Sequence, residues 1–239
     1  MPESKPPDAP NWTMLEADTA AGIATPEFIA SLLVDGDDDL AAWAISQALQ
    51  EQPRAAVFDG VIRSAMELVG SRWVSGQWSI SQEHLATVAL TAALARLRPA
   101  DAAETRIGPV AVLAAPEGED HTTGLACLAQ ILEERGWRAE NLGANVPAQD
   151  LQRFVSSRSV DLVALSIGTA ARVPALRQTI AALRAGESGG RRLPIMAGGH
   201  GIVGIELEIR DADLVSPSLA DAVGFIATLR QHLEPPAAS

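Results

Sequence analysis

From about residue 107 onward, short apolar runs alternate with amphipathic stretches, and this alternation limits the possible folds more than any other feature of the chain. Strand-like runs fall at 109–115, 138–142, 160–167, 193–198 and 213–216. Helical spacing of apolar residues follows each of them, at about 122–135, 148–157, 173–185, 203–210 and 219–233. Strands joined by helical crossovers pair in parallel, because each crossover must pass over a face of the sheet. Five such units predict a flavodoxin-like (Rossmann-like) five-stranded parallel sheet over residues 107–235, in the order 2-1-3-4-5, with its switch point beside the first strand.

The preceding part is helical throughout. Thr25-Pro26-Glu27 reads as a cap with proline at the first helical position, leading into Phe28, Ile29, Leu32 and Leu33. Asp37-Asp38-Asp39 places negative charge at the start of a second helix. Pro53 opens a longer third helix that runs through Val57, Ile62, Met66 and Val69 to Trp73, and Ser81-Gln82-Glu83 starts a fourth. Short connections predict an antiparallel four-helix bundle over 21–98, so the fold class is α plus α/β. Residues 1–20, rich in Pro, Asp and Ala, read as a flexible tail, and the polar stretch 99–106 as a linker.

Three predicted strand ends carry chemistry on one edge of the sheet. After the first comes Glu119-Asp120-His121-Thr122-Thr123-Gly124, a histidine between acids that runs into a helix. Histidine is the commonest metal ligand, and a carboxylate on its second nitrogen fixes the tautomer; a histidine in a polar loop is also commonly a plain solvated side chain. After the third strand come Ser166, Gly168 and Thr169, whose hydroxyls suit a buried polar group. After the fourth comes Gly198-Gly199-His200-Gly201, which leaves room for a flat or extended ligand and is equally the mark of a tight βα turn. In the bundle, a glycine-containing turn is expected to bring Trp73 to face Glu83 and His84, with a buried tryptophan and a capping glutamate as the plain structural alternative.

Composition excludes several classes. No GxGxxG follows a strand and no GxxxxGK[ST] occurs, which argues against a nicotinamide enzyme or a P-loop NTPase. A formal charge of −12, with 18 Lys and Arg spread along the chain, argues against direct nucleic-acid binding. No apolar run reaches the ~18 residues of a membrane span and the start lacks a signal-peptide core, so a cytoplasmic protein is expected. Cys127 lies on the apolar stripe of its helix, where packing is expected rather than reactivity.

His121-Thr122-Thr123-Gly124, Ser166 and Gly198-Gly199 resemble, in order and context, the His-x-x-Gly, Ser and Gly-Gly motifs of cobalamin-binding domains of the methionine synthase kind. Leu142-Gly143-Ala144-Asn145-Val146-Pro147 is similar to the loop after that family's second strand. The resemblance implies that His121 binds cobalt from below in place of the dimethylbenzimidazole base. It further implies that Glu119, Asp120, Thr122, Gly124, Gly143, Val146, Ser166, Gly168, Thr169, Gly198, Gly199, His200 and Gly201 line the corrin or its nucleotide tail. The acid two residues before the histidine, Asp in most of that family, is Glu119 here.

Glu-x-His, preceded by a bundle that carries Trp-x9-Glu-His as Trp73 and Glu83-His84, resembles the light-sensing half of CarH-type regulators. That resemblance spans about 25–235 and implies that Trp73, Val74, Glu83 and His84 cap the upper face of adenosylcobalamin, whose cobalt–carbon bond light cleaves. Two departures stand out. Val74 occupies the place of the histidine that takes the upper cobalt position after photolysis, and valine cannot coordinate cobalt. The winged helix with which CarH regulators bind DNA is not present in the sequence, so a stand-alone or excised sensor is expected, acting through a homo-oligomer (a dimer) or an effector protein. The layout also resembles photocobilins, which implies biliverdin as an alternative second chromophore. The competing reading from the same modules is a corrinoid carrier in a methyltransferase system.

Overall fold

The computed structural model describes residues 24–99, 108–187 and 192–233. The expected tail and all of the expected linker except Pro99 lie outside these residues.

Helix α1, Pro26–Asp35, starts as the sequence predicts. The Thr25 hydroxyl accepts from the Phe28 N–H at 3.3 Å, and the helix ends at Gly36, whose φ of 78° is easy only for glycine. Helix α2, Asp38–Glu51, is capped by Asp37, which accepts from the Leu40 N–H at 3.0 Å. The predicted third helix is interrupted: α3 is Arg54–Val57, a π-helical turn follows over Phe58–Ile62, and α4 is Arg63–Val74. Single π turns inside helices redirect side chains and frequently mark functional places. Helix α5, Ile80–Arg96, starts at Ser79 and not at Ser81. Ser79 Oγ accepts from the Gln82 N–H at 3.2 Å while Gln82 Oε1 accepts from the Ser79 N–H at 2.9 Å, a reciprocal capping box.

The remainder is a parallel sheet of β1 Val110–Ala114, β2 Arg138–Asn141, β3 Leu162–Ser166, β4 Ile195–Gly198 and β5 Leu214–Val215, in the order β2-β1-β3-β4-β5. Its helices are α6 Thr123–Glu134, α7 Ala148–Ser156, α8 Val173–Ala185 and α9 Leu219–Leu233. The expected helix at 203–210 is not formed. Gly204 takes φ 81°, and the segment holds a single 3-10 turn at Glu206–Glu208, after another at His200–Ile202 that precedes it, with Leu207 94% exposed.

Strands β1 and β3 are buried on both faces, as near-continuous apolar runs require. Val112 and Ala114 face a core shared with α7 and α8, whereas Ala111 and Leu113 face a larger core that continues through α6 into Ile29, Leu33, Ile45 and Leu90 of the bundle. The bundle therefore packs on the outside of α6. Polar bonds fix that contact: Gln130 of α6 donates to the Leu94 carbonyl at 2.6 Å and accepts from Arg54 at 2.8 Å, and Arg98 pairs with the buried Glu133. Cys127, buried within α6, has its thiol pushed up to about 12 by burial and, secondarily, by Asp59, which makes it inert at neutral pH.

Candidate corrinoid site at the carboxyl edge of the sheet

Because β1 and β3 are neighbours on either side of the switch point, the loops that leave their carboxyl ends meet. Glu119 lies in the first loop and is 1% exposed. Its carboxylate accepts from the His121 N–H at 2.9 Å and from the Gly168 N–H at 2.8 Å, and it holds His121 Nδ1 at 2.5 Å. Burial alone raises the Glu119 pKa. The His121 backbone bond, the imidazole bond, the Gly168 bond and the charge of the imidazole outweigh it and hold the carboxyl below its ordinary value.

The imidazole itself is 65% exposed, and its Nε2 makes no hydrogen bond among the described residues. Nδ1 bound to a carboxylate and Nε2 open is the arrangement of a metal-ligating histidine with its supporting partner. Among the described residues no group of three or more His, Cys, Asp and Glu side chains converges.

Glycines shape the space around this ring. A β-carbon at Gly168 would lie 2.6 Å from His121 Cγ, and one at Gly201 would lie 2.6 Å from the Thr169 backbone. Gly199, at φ 96°, puts its backbone where a β-carbon would lie 2.3 Å from the Ile167 carbonyl and 2.7 Å from Ser166 Oγ. The β3 and β4 turns thus pack backbone on backbone, joined by the Ile167 N–H to Gly198 carbonyl bond at 3.1 Å and the Gly201 N–H to Ile167 carbonyl bond at 2.9 Å. Ser166, 9% exposed, lies between Gly124 of α6 and Gly199, its hydroxyl 3.3 Å from where a Gly124 β-carbon would stand.

The loop after β2 joins the same edge. The Ala115 N–H donates to the Gly143 carbonyl at 2.8 Å, the Val146 N–H to the Ala115 carbonyl at 2.9 Å, and the Asn145 N–H to the Glu119 carbonyl at 3.0 Å. Asp120 is exposed, and Thr122 precedes α6 without a side-chain cap bond.

The bundle residues are placed differently. Trp73 is 44% and Val74 80% exposed at the end of α4, and His84, at the start of α5, holds Glu83 Oε2 with Nδ1 at 2.6 Å. Among the described residues no hydrogen bond or ion pair joins Trp73 to Glu83 or His84; the Glu83 carboxylate bonds instead to His84 and Thr87. The bundle reaches the sheet edge instead through Glu67 of α4, 3.6 Å from His200 Nδ1. Gly70, three residues beyond Glu67 on α4, has open space where a side chain would stand.

Sequence reasoning missed Glu67, Asn145, Arg172 and Asp59. Asn145 adopts φ 57° and its Oδ1 accepts from the Gly118 N–H at 2.7 Å, a role its place in a Gly-Ala-Asn turn could have signalled. Arg172 lies across Gly118, and Asp59 sits in the π turn; neither has a local sequence signature.

The B12 binding domain family matches residues 109–229, and a second B12 binding domain family matches residues 27–98. The chain belongs to the B12 binding domain family. Cobalamin is accordingly its small-molecule partner, and the site's donor set, one supported imidazole in a cradle cleared by glycines, fits that group. The chain is 34% identical over 156 residues to the HTH-type transcriptional repressor CarH of Myxococcus xanthus, a match that covers 65% of this chain and 50% of the repressor. It spans about half the length of that relative. It is 23% identical over 175 residues to the dimethylamine corrinoid protein of Methanosarcina barkeri, covering 72% of this chain and 81% of that protein. In fold it is similar to the monomethylamine corrinoid protein of Methanosarcina barkeri, with a TM-score of 0.68, 17% identity, and coverage of 88% of this chain and all of that one. No helix among the described residues is long and apolar enough to cross a membrane.

Proposed function

We propose that this chain is a cobalamin-dependent light sensor in which adenosylcobalamin lies between the sheet edge and the bundle, with His121 Nε2 as the lower cobalt ligand. The observation that carries the reading is the buried Glu119 carboxylate holding Nδ1 while Nε2 stays open beside glycine-lined turns. The higher identity to a CarH repressor, 34% against 23% for the dimethylamine corrinoid protein, supports a sensor over a carrier. When bound, the cofactor supplies a light-cleavable cobalt–carbon bond.

The protein's own residues account for the rest. Glu119 and the Gly168 N–H orient the imidazole, and Ser166, Gly124, Gly198 and Gly199 border the channel for the nucleotide tail. Trp73, Val74 and the Glu83–His84 pair form the exposed end of the bundle that covers the upper ligand. Their exposure leaves them free to rearrange when that ligand departs, shifting the bundle between two states that an oligomer or effector reads. With Val74 in place of a histidine, the upper position after illumination falls to water or to His84.

A corrinoid carrier is the second reading, favoured by the match to the dimethylamine corrinoid protein, which covers 81% of that protein. Reconstitution with adenosylcobalamin in darkness, then illumination with absorption and size-exclusion readouts, separates the two. The sensor reading expects a spectrum that changes irreversibly together with a change in assembly or partner binding. Photolysis without any structural response, and methyl transfer to a thiol by a partner methyltransferase, would replace it with the carrier. A long-wavelength band in protein made with biliverdin would add a bilin to the sensor.

A further inference from the structure

The π turn of the bundle and the turn that opens α9 are clasped together. Asp59, within the π turn, accepts from the Leu219 N–H at 2.8 Å, the Ala220 N–H at 3.2 Å and the Ser218 hydroxyl at 3.2 Å, so a bundle side chain serves as the anionic cap of a helix in the α/β region. Arg63, one helical turn on, pairs with Asp59 and donates to the Pro217 carbonyl at 2.5 Å. Ser216, at the start of the clasped turn, stands against the glycine-rich edge: its N–H donates to the Ala197 carbonyl at 3.1 Å, and a β-carbon at Gly198 would lie 3.0 Å from its carbonyl oxygen. Ser216 Oγ in turn binds Asp221 at 2.5 Å and accepts from the Ser218 N–H, which ties the whole turn into one unit.

We infer that Asp59 and Arg63 are positioning residues for the nucleotide-tail channel: the bundle holds the Ser216–Ala220 wall against Gly198, so the bundle's placement governs how tightly the tail is gripped. The inference rests on the cobalamin reading above. A π turn is a suitable device for it, because the extra residue rotates Asp59 out of the regular helical register toward α9. It also gives the bundle a route to the lower half of the site that does not pass through the corrin.

The test compares cobalamin with cobinamide, which has the corrin but no nucleotide tail. Titrations followed by absorption would use the whole chain, as wild type, Asp59→Ala, Asp59→Asn and Arg63→Gln, each checked for folding by circular dichroism and thermal melting. Asp59→Ala is expected to weaken cobalamin binding at least tenfold and change cobinamide binding less than twofold, with the milder Asp59→Asn and Arg63→Gln in between. Arg63→Gln keeps the helix cap and serves if Asp59→Ala fails to fold. Equal weakening for both corrinoids, or none for either, would overturn the clasp's role and leave the cofactor assignment standing. Failure of the wild type to bind either corrinoid would instead remove the cofactor assignment and this inference with it.

Discussion

Two of the histidine–carboxylate pairs among the described residues, His121–Glu119 and His84–Glu83, could hardly be housed more differently. At the sheet edge, Glu119 is buried, takes two backbone N–H bonds, and fixes His121 against Gly168. On the bundle, Glu83 and His84 are consecutive residues on one helical turn; the imidazole is 72% exposed, and the further hydrogen bond to the Glu83 carboxylate among the described residues is a long one from the Thr87 hydroxyl, at 3.5 Å. The first pair is preorganised by the backbone of two loops, whereas the second depends on side-chain rotamers that cost little to change. A ligand that must stay in place suits the first, and a group that must respond to a change in its surroundings suits the second.

Substitutions should separate the pairs sharply. His121→Ala has the largest expected effect: it removes the imidazole that Glu119 holds in place at the edge, and bound cob(II)alamin should lose its imidazole signature in electron paramagnetic resonance. Glu119→Gln comes next, with a fall of about 10–100-fold in cobalamin affinity, the range seen when the partner of a metal-bound histidine is lost. Glu83→Gln should change dark affinity by less than about threefold, since an exposed pair contributes little, yet alter the rate or extent of the response to light. Equal losses of affinity in Glu119→Gln and Glu83→Gln would erase the distinction between the pairs.

Acid sharpens it further. The folded-state pKa of Glu119 lies below its unfolded value, so its contribution to stability is full above the unfolded value of about 4.3 and is lost as pH falls through the lowered folded value. Imidazole anchoring should therefore survive to pH 5, as followed by the His121 ring signals in nuclear magnetic resonance, and Glu119→Gln should flatten the acid limb of the melting temperature. The smallest effect is expected at Ser79→Ala, which removes half of a capping box on α5 and should cost about 1 kcal/mol in thermal or urea melts without touching cobalamin affinity.

The sheet and the lower site were legible because their signals are local. Val110–Ala114 and Leu162–Ser166 are short, mostly apolar runs whose length and alternation with helical stretches mark them as strands buried on both faces, and His121, Ser166 and Gly198-Gly199 stand at strand ends where open α/β sheets bind ligands. Ser81-Gln82-Glu83 hid the true cap because two serines, Ser79 and Ser81, stand within one turn of each other and either could open the helix, although Ser79-x-x-Gln82 was the better box. The helix expected at 203–210 failed at Gly204, where a left-handed residue outweighs a weak apolar pattern. Asp59, Glu67 and Arg172 were invisible, since their roles depend on which distant turn the helix or loop lies against.

The central claim is that His121, and not the cofactor's own base, binds cobalt. It is tested most directly by electron paramagnetic resonance of cob(II)alamin bound to protein labelled with nitrogen-15 histidine. The account predicts that each triplet in the axial nitrogen splitting becomes a doublet on labelling, and that this conversion disappears in His121→Ala. Triplets that persist unchanged in the labelled wild type would show an unlabelled nitrogen on cobalt and contradict the assignment.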